Sequence, residues 1–176
     1  MMRGGELVGA KKILIVEDMP DWRDQLQATL RRDGYDITTV PSYGEALAEL
    51  RRNPYDLTLV DLRLSPADES NRDGMDLLRD LARANVPAVV VTGYGGVELA
   101  RKAIDQYHAF DFMEKQTLDL NRLREVIKAA FKKAKEKEKR LQELRDKVFR
   151  GEIITYDVPE DAVNPLLREE KEDYDQ

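Results

Sequence analysis

Residues 11–20 read KKILIVEDMP. Positions 13–16 form a continuous apolar, β-branched run, the pattern of a strand covered on both faces. The run stops at two acids, Glu17 and Asp18, and Pro20 suits the first position of a helix, where its missing N–H costs nothing. The same alternation continues to residue 115. Short runs of β-branched or other apolar residues occur at 12–16, 36–40, 56–60, 88–92 and 109–113. Between them, apolar residues fall at three- and four-residue spacing: Leu26/Leu30, Ala46/Leu47/Leu50, Leu77/Leu78/Leu81 and Leu99/Ala103/Ile104. Asp33-Gly34 and Asn53-Pro54 read as stops, Ser42 and Thr117 as N-caps. Strand and helix alternating in this way predict a doubly wound α/β fold, a five-stranded parallel sheet with helices on both faces. Positions 13–16 and 88–91 suit central strands, whereas 37–40, interrupted by Thr38 and Thr39, suits an edge.

Ligands of such a sheet bind beyond the carboxyl ends of its strands, where the strand order reverses. The residues there are Glu17-Asp18, Asp61, Thr92-Gly93 and Glu114-Lys115, each polar directly after an apolar run. A lone carboxylate at a strand end is more often a helix cap than a ligand. Taken singly, Lys115 is a solvated lysine, Thr92 an ordinary strand residue and Phe112 a core aromatic. Jointly they read differently. With the first and third strands adjacent, Glu17, Asp18 and Asp61 converge, and three carboxylates cannot all stay ionised without compensation. A hard cation such as Mg²⁺ would neutralise them, and Lys115 would add positive charge. An acidic metal site with a spare carboxylate, a lysine and a hydroxyl matches phosphoryl chemistry. His108 receives no role. Gly93-Tyr94-Gly95-Gly96 lacks the Gly-Lys-Ser/Thr of a phosphate loop and reads as a flexible turn.

Composition narrows the chemistry further. The 176 residues are 41% hydrophobic, enough for one sizeable core. There is no cysteine, which excludes disulfides, thiolate catalysis and Fe–S clusters, and the single histidine excludes His-pair metal sites. A formal charge of -6 argues against bulk attraction to nucleic acid or anionic membrane. The apolar runs are far short of a membrane span, and the opening MMRGGELVGA lacks a secretory signal. The expectation is a cytoplasmic protein with no membrane partner.

Residues 11 to about 132 resemble the receiver domain of two-component response regulators. The resemblance is carried by KKILIVEDMP (11–20), DLTLVDLRL (56–64), DGMDLL (73–78), AVVVTG (88–93) and AFDFMEK (109–115), in that order and spacing. It implies the flavodoxin-like strand order 2-1-3-4-5. It also implies that Asp61 accepts a phosphoryl group from the phosphohistidine of a sensor histidine kinase or phosphotransfer protein. Mg²⁺ would be held by Asp18, Asp61 and the backbone carbonyl of Arg63, with Glu17 helping through water. Lys115 would bind one phosphoryl oxygen and the Thr92 hydroxyl another, while Phe112 reorients as the switch aromatic. Arg63 and Tyr94 stand where the family tunes the lifetime of the phosphoryl group. Such a protein is not an enzyme in the ordinary sense but a phosphoacceptor that assists its own phosphorylation and dephosphorylation. Three departures stand out. Gln116 replaces the family's usual proline, so the loop after the last strand is free to take another shape. The polar segment 65–73 is longer than usual, and is expected to form a mobile flap or partner contact. Phe112 lacks the hydroxyl that many switch aromatics carry.

Four parts are expected: a flexible N-terminal segment at 1–10, the receiver domain at 11–132, a helical extension at 133–150, and an acidic tail or linker at 151–176. Residues 121–150 carry 12 Lys/Arg against 5 Asp/Glu, and residues 151–176 carry 2 against 9. Leu123, Ile127, Ala130, Ala134, Lys137, Leu141, Leu144 and Val148 keep a four-three spacing, that of a coiled-coil seam. Only about two heptads extend past the domain, Lys137 interrupts the seam, and Arg140 would face Arg145 of a second copy. A homodimer through this helix and pairing of the basic helix with the acidic tail both remain open. No DNA-reading module follows, so direct nucleic-acid binding is not expected.

The leading functional expectation is a phosphorylation-dependent switch that alters interactions through the helix around Leu99, the last strand and the extended last helix. A receiver-like scaffold that binds constitutively, without phosphoryl turnover, is the alternative. A Mg²⁺-dependent phosphohydrolase ranks last, because Asp61-Leu62-Arg63 lacks the second aspartate of that chemistry.

Overall fold

The computed structural model describes residues 9–64, 73–93 and 95–151. Most of the expected N-terminal segment, Tyr94, nearly all of the 65–73 flap and nearly all of the acidic tail therefore lie outside the described residues. Within them the elements run β1 (Lys12–Val16), α1 (Pro20–Arg32), β2 (Asp36–Val40), α2 (Tyr43–Arg52), β3 (Leu57–Val60), α3 (Asp73–Arg83), β4 (Ala88–Thr92), α4 (Val97–Asp105), β5 (Asp111–Glu114) and α5 (Leu120–Phe149). One 3₁₀ turn, Lys115–Thr117, joins β5 to α5. The five strands are parallel in the order β2-β1-β3-β4-β5, the doubly wound arrangement expected.

Alternate strand residues point to opposite faces of the sheet. Leu14, Val16, Val60 and Val90 pack in one core with Ala46 of α2, Leu77, Leu78 and Leu81 of α3, and Ala103 of α4. Ile13, Ile15, Leu57 and Leu59, of the other parity, are equally buried. Leu26 and Leu30 of α1 and Leu123, Val126, Ile127 and Ala130 of α5 are buried as well and stand outside the first core. The continuous apolar runs are thus the strands sandwiched between helix layers, and the two threonines of β2 fall on an edge strand where half-burial suffices.

Pro20 opens α1 as expected, and Gly34, at φ +89°, closes it in the left-handed region that favours glycine. Ser42 caps α2, its hydroxyl accepting from the Glu45 N–H at 3.3 Å. Thr117, expected as the cap of α5, is instead spent in the 3₁₀ turn. Asp119 takes the role, its carboxylate accepting from the Asn121 N–H at 2.8 Å. The last strand also starts later than its apolar pattern suggests. His108 adopts φ +56° and the Ala109 N–H returns to the Ala103 carbonyl at 2.9 Å, so these residues finish α4 instead of beginning β5. His108 is a reversal point of the chain.

The chain divides into two units, one through Ala130 and one from Phe131. The last buried residue of α5 is Ala130. In the second unit Ala134, Lys137, Leu141, Leu144 and Val148 are half-buried and most residues between them exposed. Among the described residues no helix is long and apolar enough to cross a membrane.

Candidate functional site

Register places the acids. Val16 of β1 pairs with Val60 of β3, so the next residues, Glu17 and Asp61, leave the sheet side by side. The Asp61 N–H donates to the Val16 carbonyl and the Glu17 N–H to the Val40 carbonyl, extending the ladder one step past each strand. Asp18 follows on the turn into α1. Side-chain oxygens of Glu17, Asp18 and Asp61 lie within 4.8 Å of one another.

Lys115 reaches this cluster from the far end of β5. Its Nζ lies 2.5 Å from Asp61 Oδ2 and 2.6 Å from Glu17 Oε2, with all three side chains almost fully buried. One ammonium against three carboxylates leaves negative charge in excess. Burial pushes the Glu17 carboxyl up to about 7; the hydrogen bond from Lys115 opposes that rise and the neighbouring Asp61 charge adds to it. Asp18 Oδ1 is buried without any hydrogen-bond partner, a costly arrangement for a carboxylate. An orphaned carboxylate oxygen beside two further acids is the donor set a hard, oxygen-seeking divalent cation takes, so these residues fit Mg²⁺.

Asp18, Asp61, Arg63 and Lys115 line a cavity of about 320 Å³, together with Met19, Trp22, Gly93 and Gln116. The Arg63 N–H donates to Asp61 Oδ1 at 3.0 Å, which turns the other carboxylate oxygen toward Lys115. Thr92 is fully buried at the end of β4; its neighbour Gly93, not Thr92 itself, lines the cavity. Gln116 keeps a trans bond to Lys115, and its side-chain amide donates to the Gly93 carbonyl at 2.8 Å, tying the loop after β5 to the loop after β4.

Phe112 stands apart from the carboxylates. It is half-buried, packs against the core on the α2–α4 face and lines a second groove of about 310 Å³ beside Val97 of α4 and Arg122 of α5. The structure therefore brings Glu17, Asp18, Asp61, Lys115 and Arg63 to one point, with Thr92 behind and Phe112 on the flank.

Three further residues acquire importance in the structure, and only one of them, Gly74, had a signal in the sequence. A Cβ on Gly95 would come 2.8 Å from Phe112 Cζ, so this glycine gives the aromatic ring its room. A Cβ on Gly74 would lie 2.4 Å from the Leu62 Cα, so α3 packs directly on the backbone leaving Asp61. Trp22 forms one wall of the cavity, with Lys115 Nζ 5.5 Å from its ring centroid. The glycine-containing motif hinted at Gly74, but no local pattern pairs residue 22 with residue 115.

The sequence profile of the response regulator receiver domain matches residues 13–128. Among curated proteins, the chain is 36% identical over 124 residues to the response regulator protein PilR of Pseudomonas aeruginosa, a match covering 69% of this chain and 26% of that protein. It is 35% identical over 108 residues to the nitrogen assimilation regulatory protein NtrX of Azorhizobium caulinodans, covering 60% of this chain and 23% of that one. The chain thus matches about a quarter of the length of these curated relatives. Among solved structures, the receiver domain protein (CheY-like) of Methanospirillum hungatei JF-1 is similar at a TM-score of 0.63 and 25% identity, over 73% of this chain and 98% of that one. NtrX of Brucella abortus is similar at 0.67 and 30%, over 79% and 30% of the respective chains.

Proposed function

Because this chain belongs to the response regulator receiver domain family, we propose that it is a phosphorylation-dependent switch whose phosphoacceptor is Asp61. The observation that carries the reading is the meeting of Asp61 with Lys115, Glu17 and Asp18 at the carboxyl ends of three strands. Domains of this family are phosphoacceptor signalling domains that work with histidine kinases or phosphotransfer proteins. The donor here is accordingly a phosphohistidine. An Asp61 carboxylate oxygen attacks phosphorus, the P–N bond breaks, and the imidazole leaves with the electron pair and takes up a proton. Asp18, Asp61 and the Arg63 carbonyl would hold Mg²⁺, with Glu17 acting through water. When bound, the cation offsets charge on the transferred group and so favours both formation and hydrolysis of the acyl phosphate. Lys115 neutralises one phosphoryl oxygen, and the Thr92 hydroxyl donates to another.

The partner surface is the groove between α4, β5 and the start of α5, where Phe112 is half-buried and Val97 is 85% exposed. A partner that binds this face differently when Phe112 moves is enough to couple the site to an output. The 133–150 helical extension is where a homodimer would form. A cytoplasmic setting matches the donor chemistry.

The test is intact mass after incubation with Mg²⁺ and acetyl phosphate, with Asp61→Asn alongside. One metal-dependent phosphoryl adduct is expected, absent from the variant. No adduct and no donor hydrolysis, with Mg²⁺ shown to bind, would replace the switch by a constitutive scaffold. Rapid donor hydrolysis without accumulation would point to a phosphohydrolase.

A further inference from the structure

The phosphoacceptor chemistry leaves one wall of the site unused. Trp22 sits in the first turn of α1, half-buried, on the same cavity as Asp61 and Lys115. It is the chain's single tryptophan, and the Lys115 Nζ lies 5.5 Å from its ring centroid, within cation–π range. We propose that Trp22 is a positioning residue for Lys115, its ring face keeping the ammonium at the cavity once the carboxylates that now hold it are engaged elsewhere. The inference rests on the phosphoacceptor reading.

The partners of Lys115 differ in what they can offer it at each stage. Its two anchors are Asp61 Oδ2 and Glu17 Oε2, at 2.5 and 2.6 Å. Both belong to the acidic cluster that fits a divalent cation. An oxygen given to a cation, or made the bridging oxygen of an acyl phosphate, binds the ammonium less well, and a cation nearby repels it outright. Until a phosphoryl oxygen arrives to take the ammonium, a long, flexible lysine stem released from both anchors regains rotamer freedom and would leave the pocket. The indole is uncharged, and its attraction for an ammonium comes from the ring quadrupole, so neither metal nor phosphate uses it up. In a cavity whose other walls carry Asp18, Asp61 and Arg63, Trp22 is the partner whose hold on Lys115 does not depend on the state of the acids.

The test uses the full chain with Trp22→Leu and Trp22→Phe. Adduct yield with Mg²⁺ and acetyl phosphate should fall roughly three- to tenfold in the leucine variant and recover to within about twofold of wild type in the phenylalanine variant, which keeps a ring face. Mg²⁺ affinity, set by the carboxylates, should move by no more than about twofold in either. A leucine variant with wild-type yield, or a phenylalanine variant as poor as the leucine one, would overturn the proposal in favour of simple packing. Should the leucine variant fail to fold, the phenylalanine variant decides: near wild-type yield supports the ring-face role, and a tenfold loss refutes it. A second arm needs no phosphoryl transfer. Trp22 fluorescence in metal-free protein should shift on Lys115→Met, and an unchanged spectrum would refute the contact. If the wild type forms no adduct at all, the phosphoacceptor reading fails and the fluorescence arm alone judges the Trp22–Lys115 pair.

Discussion

Glu17 is the residue whose environment has the clearest measurable consequence. Burial drives its carboxyl to about 7, against the pull of the Lys115 hydrogen bond, while an unfolded glutamate titrates near about 4.3. Between those values the folded chain holds a proton that the unfolded chain has released. The proton therefore favours folding, and stability falls as pH rises from about 4.5 through about 7, by up to about 3 kcal/mol from this one group. Urea unfolding at pH 5 and pH 7.5 should show a smaller loss over that interval in Glu17→Gln than in wild type. Equal losses would mean that Glu17 is ionised throughout. Mg²⁺ added at the higher pH should restore stability to the wild type, because a cation relieves the repulsion that raises the pKa. The same residue shows why sequence alone was incomplete. Glu17 was legible as an acid at a strand end, but its protonation near neutrality depends on burial and on Lys115, 98 positions away in the chain.

At the scale of elements, α3 packs closely on the end of β3 beside the site. A Cβ on Gly74 would lie 2.4 Å from the Leu62 Cα and 2.6 Å from the carbonyl oxygens of Asp61 and Leu62. These are backbone atoms and cannot rotate away, so α3 would have to shift and Asp61 with it. Gly74→Ala should cost about 1–3 kcal/mol in urea unfolding and lower the adduct yield. Gly44, in the first turn of α2, has nothing within 4 Å of a built Cβ. Gly44→Ala is the control, expected to be neutral or stabilising by up to about 1 kcal/mol. If both substitutions behave alike, close packing is not what Gly74 provides. Helix boundaries teach the same lesson. Ser42 was readable as a cap because nothing competes for it, whereas Thr117 lost that role to Asp119 when the chain spent a 3₁₀ turn leaving Lys115.

At the scale of the whole molecule, the question is what α5 does beyond Ala130. In the unit from Phe131, the half-buried residues Ala134, Lys137, Leu141, Leu144 and Val148 follow the expected seam. A charged residue in such a seam weakens pairing. Lys137→Leu should therefore tighten self-association by roughly tenfold or more in sedimentation velocity, since it adds apolar burial to both copies. Leu144→Asp should abolish any self-association. No change in either variant would remove this stripe as a dimer interface.

The alternation of strand and helix, the central and edge character of the strands, and the acids and lysine at the strand ends are all legible in the chain alone. All of these are local: apolar period, β-branching and the first polar residue after a run are written in consecutive positions. Resemblance to a family then supplied the strand order and the roles expected of Asp61, Lys115, Thr92 and Phe112. The contacts between distant residues came from the folded chain alone. It set Glu17 and Asp61 against one ammonium, left Asp18 Oδ1 buried and unpartnered, placed Gln116 on the Gly93 carbonyl and stood Trp22 over Lys115. Those contacts come from parallel register and from helices returning across the sheet, and long-range closure of that kind leaves no periodic trace in the chain it joins.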